Sequence, residues 1–323
     1  MPKFDALISP FYGFVSICYG YCFHLCPVTL PFLRAEVADG LARASLRRLW
    51  RVHVRDYAFE NLGPEHNPGL GAAELTRSWY AAERQDFLSW ISRRGPPPLA
   101  RAATLTLAAK DARESFSGKF AAADRALERL DKLLPARDPL AVLTEWLRQL
   151  RADEVDFLEG GSEEVLIEGH VFQRFAARGS AWAASLAVSM RPQLFGLGAA
   201  PLALAGLAPR GAFRAEPERP LLALLANAIG AAAGDVATDL AAVTAMVARG
   251  EEHLADLYAS SQAPAVWHLI CGLGPLTRAE LARALSVTRR TASQAAVALE
   301  KAGLATLRPG DHTLAPNRAQ FAS

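Results

Sequence analysis

Leu276-Thr-Arg-Ala-Glu280-Leu-Ala-Arg-Ala-Leu285-Ser-Val-Thr-Arg-Arg290-Thr-Ala-Ser-Gln-Ala295-Ala-Val-Ala-Leu-Glu300-Lys-Ala-Gly-Leu304 reads as two short helices joined by a tight turn. Thr277 can cap the first helix, and Glu280 three residues later completes a reciprocal capping box. Leu281 and Leu285, four apart, share one face. Ser286 and Val287 form the turn. Thr288 caps the second helix, whose buried side is Ala292, Ala295, Ala296 and Leu299. Gly303 ends it, because glycine accepts the left-handed conformation that helix C-termini favour.

The pattern fits a helix-turn-helix, and the second helix carries side chains suited to duplex DNA. Its N-terminal part presents Arg289, Arg290, Thr291, Ser293 and Gln294 behind the Thr288 cap. Arginine bonds both acceptors of guanine, glutamine matches adenine, and small hydroxyls reach phosphates. Beyond Gly303, two short apolar runs flank Pro309-Gly310-Asp311, a turn signal. The spacing predicts a β-hairpin carrying Arg308 and His312.

The stretch from about 265 to 316 resembles the winged helix-turn-helix domain of bacterial transcriptional regulators of the GntR and MarR kind. The likeness rests on Leu276-Thr277, Glu280-Leu281-Ala282, Val287-Thr288-Arg289, Leu299-Glu300 and Ala302-Gly303-Leu304. The other four-fifths of the chain shows no match to those families' usual effector domains. The resemblance implies a recognition helix in the major groove. Thr288, Arg289, Arg290, Thr291, Ser293 and Gln294 would then meet base edges or nearby phosphates, while Thr277, Arg278, Arg308 and His312 meet the backbone.

Composition limits the alternatives. A net charge of +2 excludes a chain that binds nucleic acid through its overall charge, so any affinity must be local. Residues 278 to 308 supply that locality, with Arg278, Arg283, Arg289, Arg290, Lys301 and Arg308 against Glu280 and Glu300. Four cysteines in 323 residues make no disulfide scaffold. Cys18, Cys22 and Cys26 lie four apart near His24, but their apolar, aromatic surroundings suit unremarkable thiols better than a metal. Ala6 to Leu33 carries no charged residue apart from His24, long enough to span a bilayer, and arginines follow it. Pro10, Pro27, Pro31, Gly13 and Gly20 interrupt it as a helix, so a packed arm and a cytoplasmic protein are expected, with membrane association not favoured.

Hydrophobic residues make up 51% of the chain, with 20 prolines and 23 glycines as punctuation, so the fold class expected is mainly α: a multi-helix body with the C-terminal winged helix-turn-helix. Helices are expected over roughly 41–60, 73–92, 99–115, 118–134 and 138–158, with a further helical block over 163–190. Gly95-Pro-Pro-Pro98 reads as a linker, giving segments 1–95, 96–262 and 263–323. Residues 192–220 read as an apolar loop that must pack or bind. A long helix over about 233–259 spaces Val236, Leu240, Val243, Val247, Gly250, Leu254 and Leu257 four and three apart. That seam suits either a core face or a homodimer interface.

No phosphate-binding glycine loop, nucleophile elbow or metal-spaced histidine cluster is present, so no enzyme and no cofactor are expected. The reading is a sequence-specific DNA-binding protein that takes duplex DNA, expected as a homodimer and open to a small-molecule effector. The alternative is a helical adaptor or membrane-associated module whose winged helix binds protein.

Overall fold

The computed structural model describes residues 33–54, 72–115, 118–153, 161–167, 170–176, 181–197, 201–209, 212, 218–256 and 261–317. Among them are ten α-helices and five short strands, so the chain is mainly helical. The cysteine triplet, the uncharged stretch ending at Leu33 (bar its last residue) and the loop at 64–71 lie outside the described residues.

Helix α1 (Ala35–His53) turns Leu41, Leu46, Leu49 and Trp50 inward. Two of its arginines are tied within the chain. Arg48 grips Asp239 with two hydrogen bonds of 2.7 Å and pairs with Asp235 at 2.8 Å. Arg43 donates to the His268 carbonyl at 3.4 Å. Helix α2 (Ala72–Arg94) then turns sharply into α3 (Pro97–Ala109), with Pro97 at the first helical position. The Gly95–Pro98 segment joins these two helices. Leu88 and Ile91 before it share one core with Leu99 and Ala102 after it. A Cβ at Gly95 would fall 2.7 Å from the Ile91 carbonyl oxygen, which accounts for the glycine at the bend.

Helices α4 (Ala121–Asp131) and α5 (Pro139–Asp153) follow as the sequence indicates, the latter capped by Asp138 Oδ1 accepting from the Leu140 and Ala141 N–H groups. The expected helical block at 163–190 is a correction. Strands β1 (Gly161–Ile167) and β2 (His170–Ala176) pair antiparallel from Gly161↔Ala176 to Ile167↔His170, and only then comes α6 (Ala181–Ser189). Val165, Ile167, Val171, Phe172 and Phe175 are β-branched or aromatic, and Glu168-Gly169 separates the two runs. That two-residue spacing with glycine is a hairpin signal that outweighs the helical reading. The apolar loop packs, as expected: Leu202, Leu204 and Leu207 are buried, and the Leu204 N–H donates to the Ser189 carbonyl at 3.1 Å.

Helix α7 (Glu218–Leu254) is longer than the sequence suggests and forms the spine of the body. Val236, Leu240, Val243 and Val247 are buried in the same core as α1. A Cβ at Gly40 would lie 2.6 Å from Val243 Cγ1, so the two helices meet at that glycine. The seam is thus the chain's own core rather than a surface left open for a second copy; Leu257 lies outside the described residues. Gly250 is no weak position in it. A Cβ there would fall 2.4 Å from Trp267 Cδ1, so the missing side chain is the notch that admits the indole. Trp267 Nε1 then donates to the Met246 carbonyl at 2.8 Å. By length and composition α7 could cross a membrane, although its outward positions Ala231, Gly234, Thr238 and Ala245 are small rather than bulky and apolar.

The C-terminal part has a second core. Helix α8 (Ala263–Leu273) leads through β3 (Leu276–Thr277) to α9 (Arg278–Ala284) and α10 (Arg289–Lys301), then β4 (Ala305–Leu307) and β5 (Thr313–Pro316). The three strands form an antiparallel sheet in the order β3-β5-β4. Trp267, Ile270, Leu281, Ala292, Ala296, Leu299 and Leu314 fill its interior.

Candidate nucleic-acid interface

The local chemistry of the two-helix segment fixes its geometry closely. Thr277 Oγ1 accepts from the Glu280 N–H at 3.2 Å, and Glu280 Oε2 accepts from the Thr277 N–H at 2.8 Å. This is the reciprocal box read from the sequence. At the other end of α9 the Ser286 N–H bonds to the Arg283 carbonyl and the Val287 N–H to the Ala282 carbonyl. Ser286 sits at φ 53°, in the left-handed region. Thr288 Oγ1 accepts from the Thr291 N–H at 3.1 Å and starts α10. Gly303 at φ 70° closes α10, with the Leu304 N–H bonded to the Leu299 carbonyl.

This frame aims α10 outward. Ala292, Ala295, Ala296 and Leu299 are buried, so Arg290, Gln294, Val297 and Lys301 form one exposed stripe. Arg289 is exposed beside it. Neither Arg289 nor Arg290 makes a hydrogen bond or ion pair among the described residues. Thr291 and Ser293 are half-buried at the flank. Arg308 and His312 are exposed on the hairpin between β4 and β5, where the Arg308 N–H donates to the Thr313 carbonyl at 2.8 Å. Asp311 Oδ1 accepts from the Thr313 hydroxyl and N–H, and these bonds hold its carboxyl below the usual range.

Two sequence-predicted residues stand apart from the exposed stripe. The Thr277 side chain is engaged as a helix cap, and Arg278 is half-buried with its Nε enclosed and without a hydrogen-bond partner. The anchors of the segment escaped the sequence reading. Lys110, just past α3, hydrogen-bonds Glu280, and Arg283 Nε donates to the Ala109 carbonyl at 2.9 Å. Burial pushes the Glu280 carboxyl up, but the hydrogen bonds from Lys110 and Thr277 and the Lys110 charge outweigh it, and its pKa falls below the ordinary 4.5. Val297 at 40% and Leu307 at 38% exposure also went unread; among the described residues they are the exposed large hydrophobics. Periodicity alone could have found Val297, three residues after Gln294 and opposite the buried alanines.

A cleft of about 250 Å³ opens where the body meets this segment. Glu36, Asp39 and Arg43 of α1, Leu105 of α3, His268 of α8 and Leu285 at the end of α9 line it. Burial and the Arg43 charge push the His268 pKa down, so its imidazole is neutral near pH 7. Among the described residues no group of three His, Cys, Asp or Glu side chains could hold a metal ion. No protein-family model matches the chain, and no curated protein or solved structure matches it.

Proposed function

We propose that this chain is a sequence-specific DNA-binding protein, a transcriptional regulator of bacterial type. In this reading α9 and α10 are the two helices of a winged helix-turn-helix, with α10 entering the major groove and the β4–β5 hairpin as the wing. The observation that carries it is the exposed stripe of α10, where Arg289, Arg290 and Gln294 project from a helix capped at both ends. Two unpaired guanidiniums and a carboxamide on a rigid helix can read guanine and adenine edges. Thr288, Thr291 and Ser293 stand near the phosphates, as do Arg308 and His312 on the wing. Arg278 contributes charge, and Thr277 acts by holding α9. The protein is proposed to be cytoplasmic and to carry out no catalysis. The cleft at Leu285 is the place from which a small-molecule effector would act on α9. Any homodimer forms through a face other than the α7 seam.

Replacing Arg289 and Arg290 together with alanine should weaken binding to a selected duplex by several kcal/mol, at about 1–3 kcal/mol for each good base contact. The fold should survive, because both side chains are exposed. A gel-shift titration against a duplex enriched from a random pool reads the effect, and unchanged affinity would sink the assignment. A second reading is that α9, α10 and the hairpin dock a protein instead. A pool from which the folded full-length chain enriches no duplex would favour that one.

A further inference from the structure

Charged groups in the cleft where α1 meets the C-terminal segment are loosely engaged with one another. Glu36, Asp39 and Arg43 follow one face of α1, three and four residues apart, and line the cleft together. Among the described residues Glu36 meets a cation only at 3.8 Å, from Arg34, while Asp39 meets Arg43 at 3.4 Å and Arg101 at 3.8 Å. Elsewhere on the same helix Arg48 closes to 2.7 Å on Asp239. Arg34 is committed to Glu251, and Arg101 is largely exposed to solvent. Among the lining residues two carboxylates therefore stand against the one guanidinium of Arg43, and His268 adds no charge because its imidazole is neutral near pH 7. The other walls are apolar and come from three further elements: Leu105 of α3, Leu269 of α8 and Leu285, the C-cap of α9. At about 250 Å³ the cleft falls just below the roughly 300–1,000 Å³ of sites for drug-sized ligands, a size for a small molecule.

We propose that this cleft binds a small organic ammonium ion, its charged head between Glu36 and Asp39 and its hydrocarbon part against Leu105, Leu269 and Leu285. This deepens the reading above, on which the ligand's role as an effector rests; the binding itself stands on the cleft. Side chains three apart on a helix lie about 5–6 Å from each other at Cβ, so one ammonium with its three N–H donors bridges both carboxylates. An inorganic cation would satisfy the carboxylates and leave the leucines wet. An alcohol would do the reverse, and a carboxylate would meet Glu36 and Asp39 as like charges. Leu285 adjoins Ser286 in the turn to α10, so an occupied cleft bears on the joint between the two helices.

Titration calorimetry on the full-length chain without DNA tests the binding. The probes are n-propyl-, n-butyl-, n-pentyl- and n-hexylammonium, each beside the alcohol and the carboxylate of the same carbon skeleton. Each ammonium ion should bind at least about tenfold more tightly than its alcohol, the step expected of a hydrogen bond to a charged group, and the carboxylates should not bind. Affinity should rise about threefold to fourfold per methylene until the cleft is full. Glu36→Gln combined with Asp39→Asn should abolish the preference for the ammonium ion. Those side chains are 43% and 48% exposed, so the fold should stand, which circular dichroism checks. An ammonium ion that binds no more tightly than its alcohol, affinity that ignores chain length, or a preference that survives in the double variant overturns the proposal and leaves DNA binding intact. Ammonium binding that meets these expectations in a chain that enriches no duplex from a random pool upholds the cleft and overturns the DNA reading instead.

Discussion

Ser286 occupies a backbone conformation that favours glycine, at φ 53° in the turn between α9 and α10. A side chain in that region costs on the order of 1–2 kcal/mol, partly offset by the extra freedom glycine gains when unfolded. Ser286→Gly should therefore raise stability by about 0.5–1 kcal/mol. Urea unfolding of the two proteins measures it, and a destabilised glycine variant would contradict the geometry. At this scale the sequence was most legible where the interaction is local. The Thr277–Glu280 box, the Thr288 cap and the Gly303 stop each involve residues within a few positions of one another, and all three form. Long-range partners left no such signal. His53 Nε2 lies 2.9 Å from Glu83 Oε1, both buried, in a site edged by Trp50, Phe87, Phe120 and Trp182. Thirty residues separate the pair, and no spacing rule joins them.

Helices were recognisable wherever their apolar stripe had a cap or a proline to delimit it, as in α5 and α10. The β1–β2 hairpin was not, because short apolar runs satisfy strand and helix patterns alike. How α9 is held to the body was also invisible, since its anchor Lys110 lies 170 residues away. That anchor has a pH signature. The Glu280 carboxyl is depressed below its ordinary 4.5 in the folded chain. Its stabilising contribution is therefore complete above the unfolded value and is lost as pH falls through the lower folded value. Acidifying from pH 6 to pH 3.5 should loosen the grip of α9 on α3. Glu280→Gln should be less stable than the wild type at pH 6 and should lose less on acidification. Parallel denaturation curves at the two pH values check this, and identical pH dependence in both proteins would remove the Lys110–Glu280 contact from the account.

For the molecule as a whole, α7 connects two cores. Its middle packs on α1 and its end receives Trp267 of α8. The four-and-three spacing of its apolar residues was plain in the sequence, but the partner was not, because a seam looks the same whether it meets its own chain or another. Leu240→Asp with Val247→Asp should unfold the body, since two carboxylates would enter a closed apolar core. Circular dichroism with sedimentation separates the outcomes: loss of helical signal is expected, and a folded monomer arising from a wild-type dimer would restore the seam as an interface.

The central claim is that α10 lies in the major groove with Arg289 and Arg290 on guanine edges. Dimethyl sulfate methylates guanine N7, the acceptor those arginines would cover. Probing an enriched duplex with the full-length chain bound should show one or more guanines protected at N7, with protection lost when Arg289→Ala and Arg290→Ala are combined at protein concentrations that still saturate the DNA. Guanines equally reactive with and without protein, or protection that persists in the double variant, would contradict it.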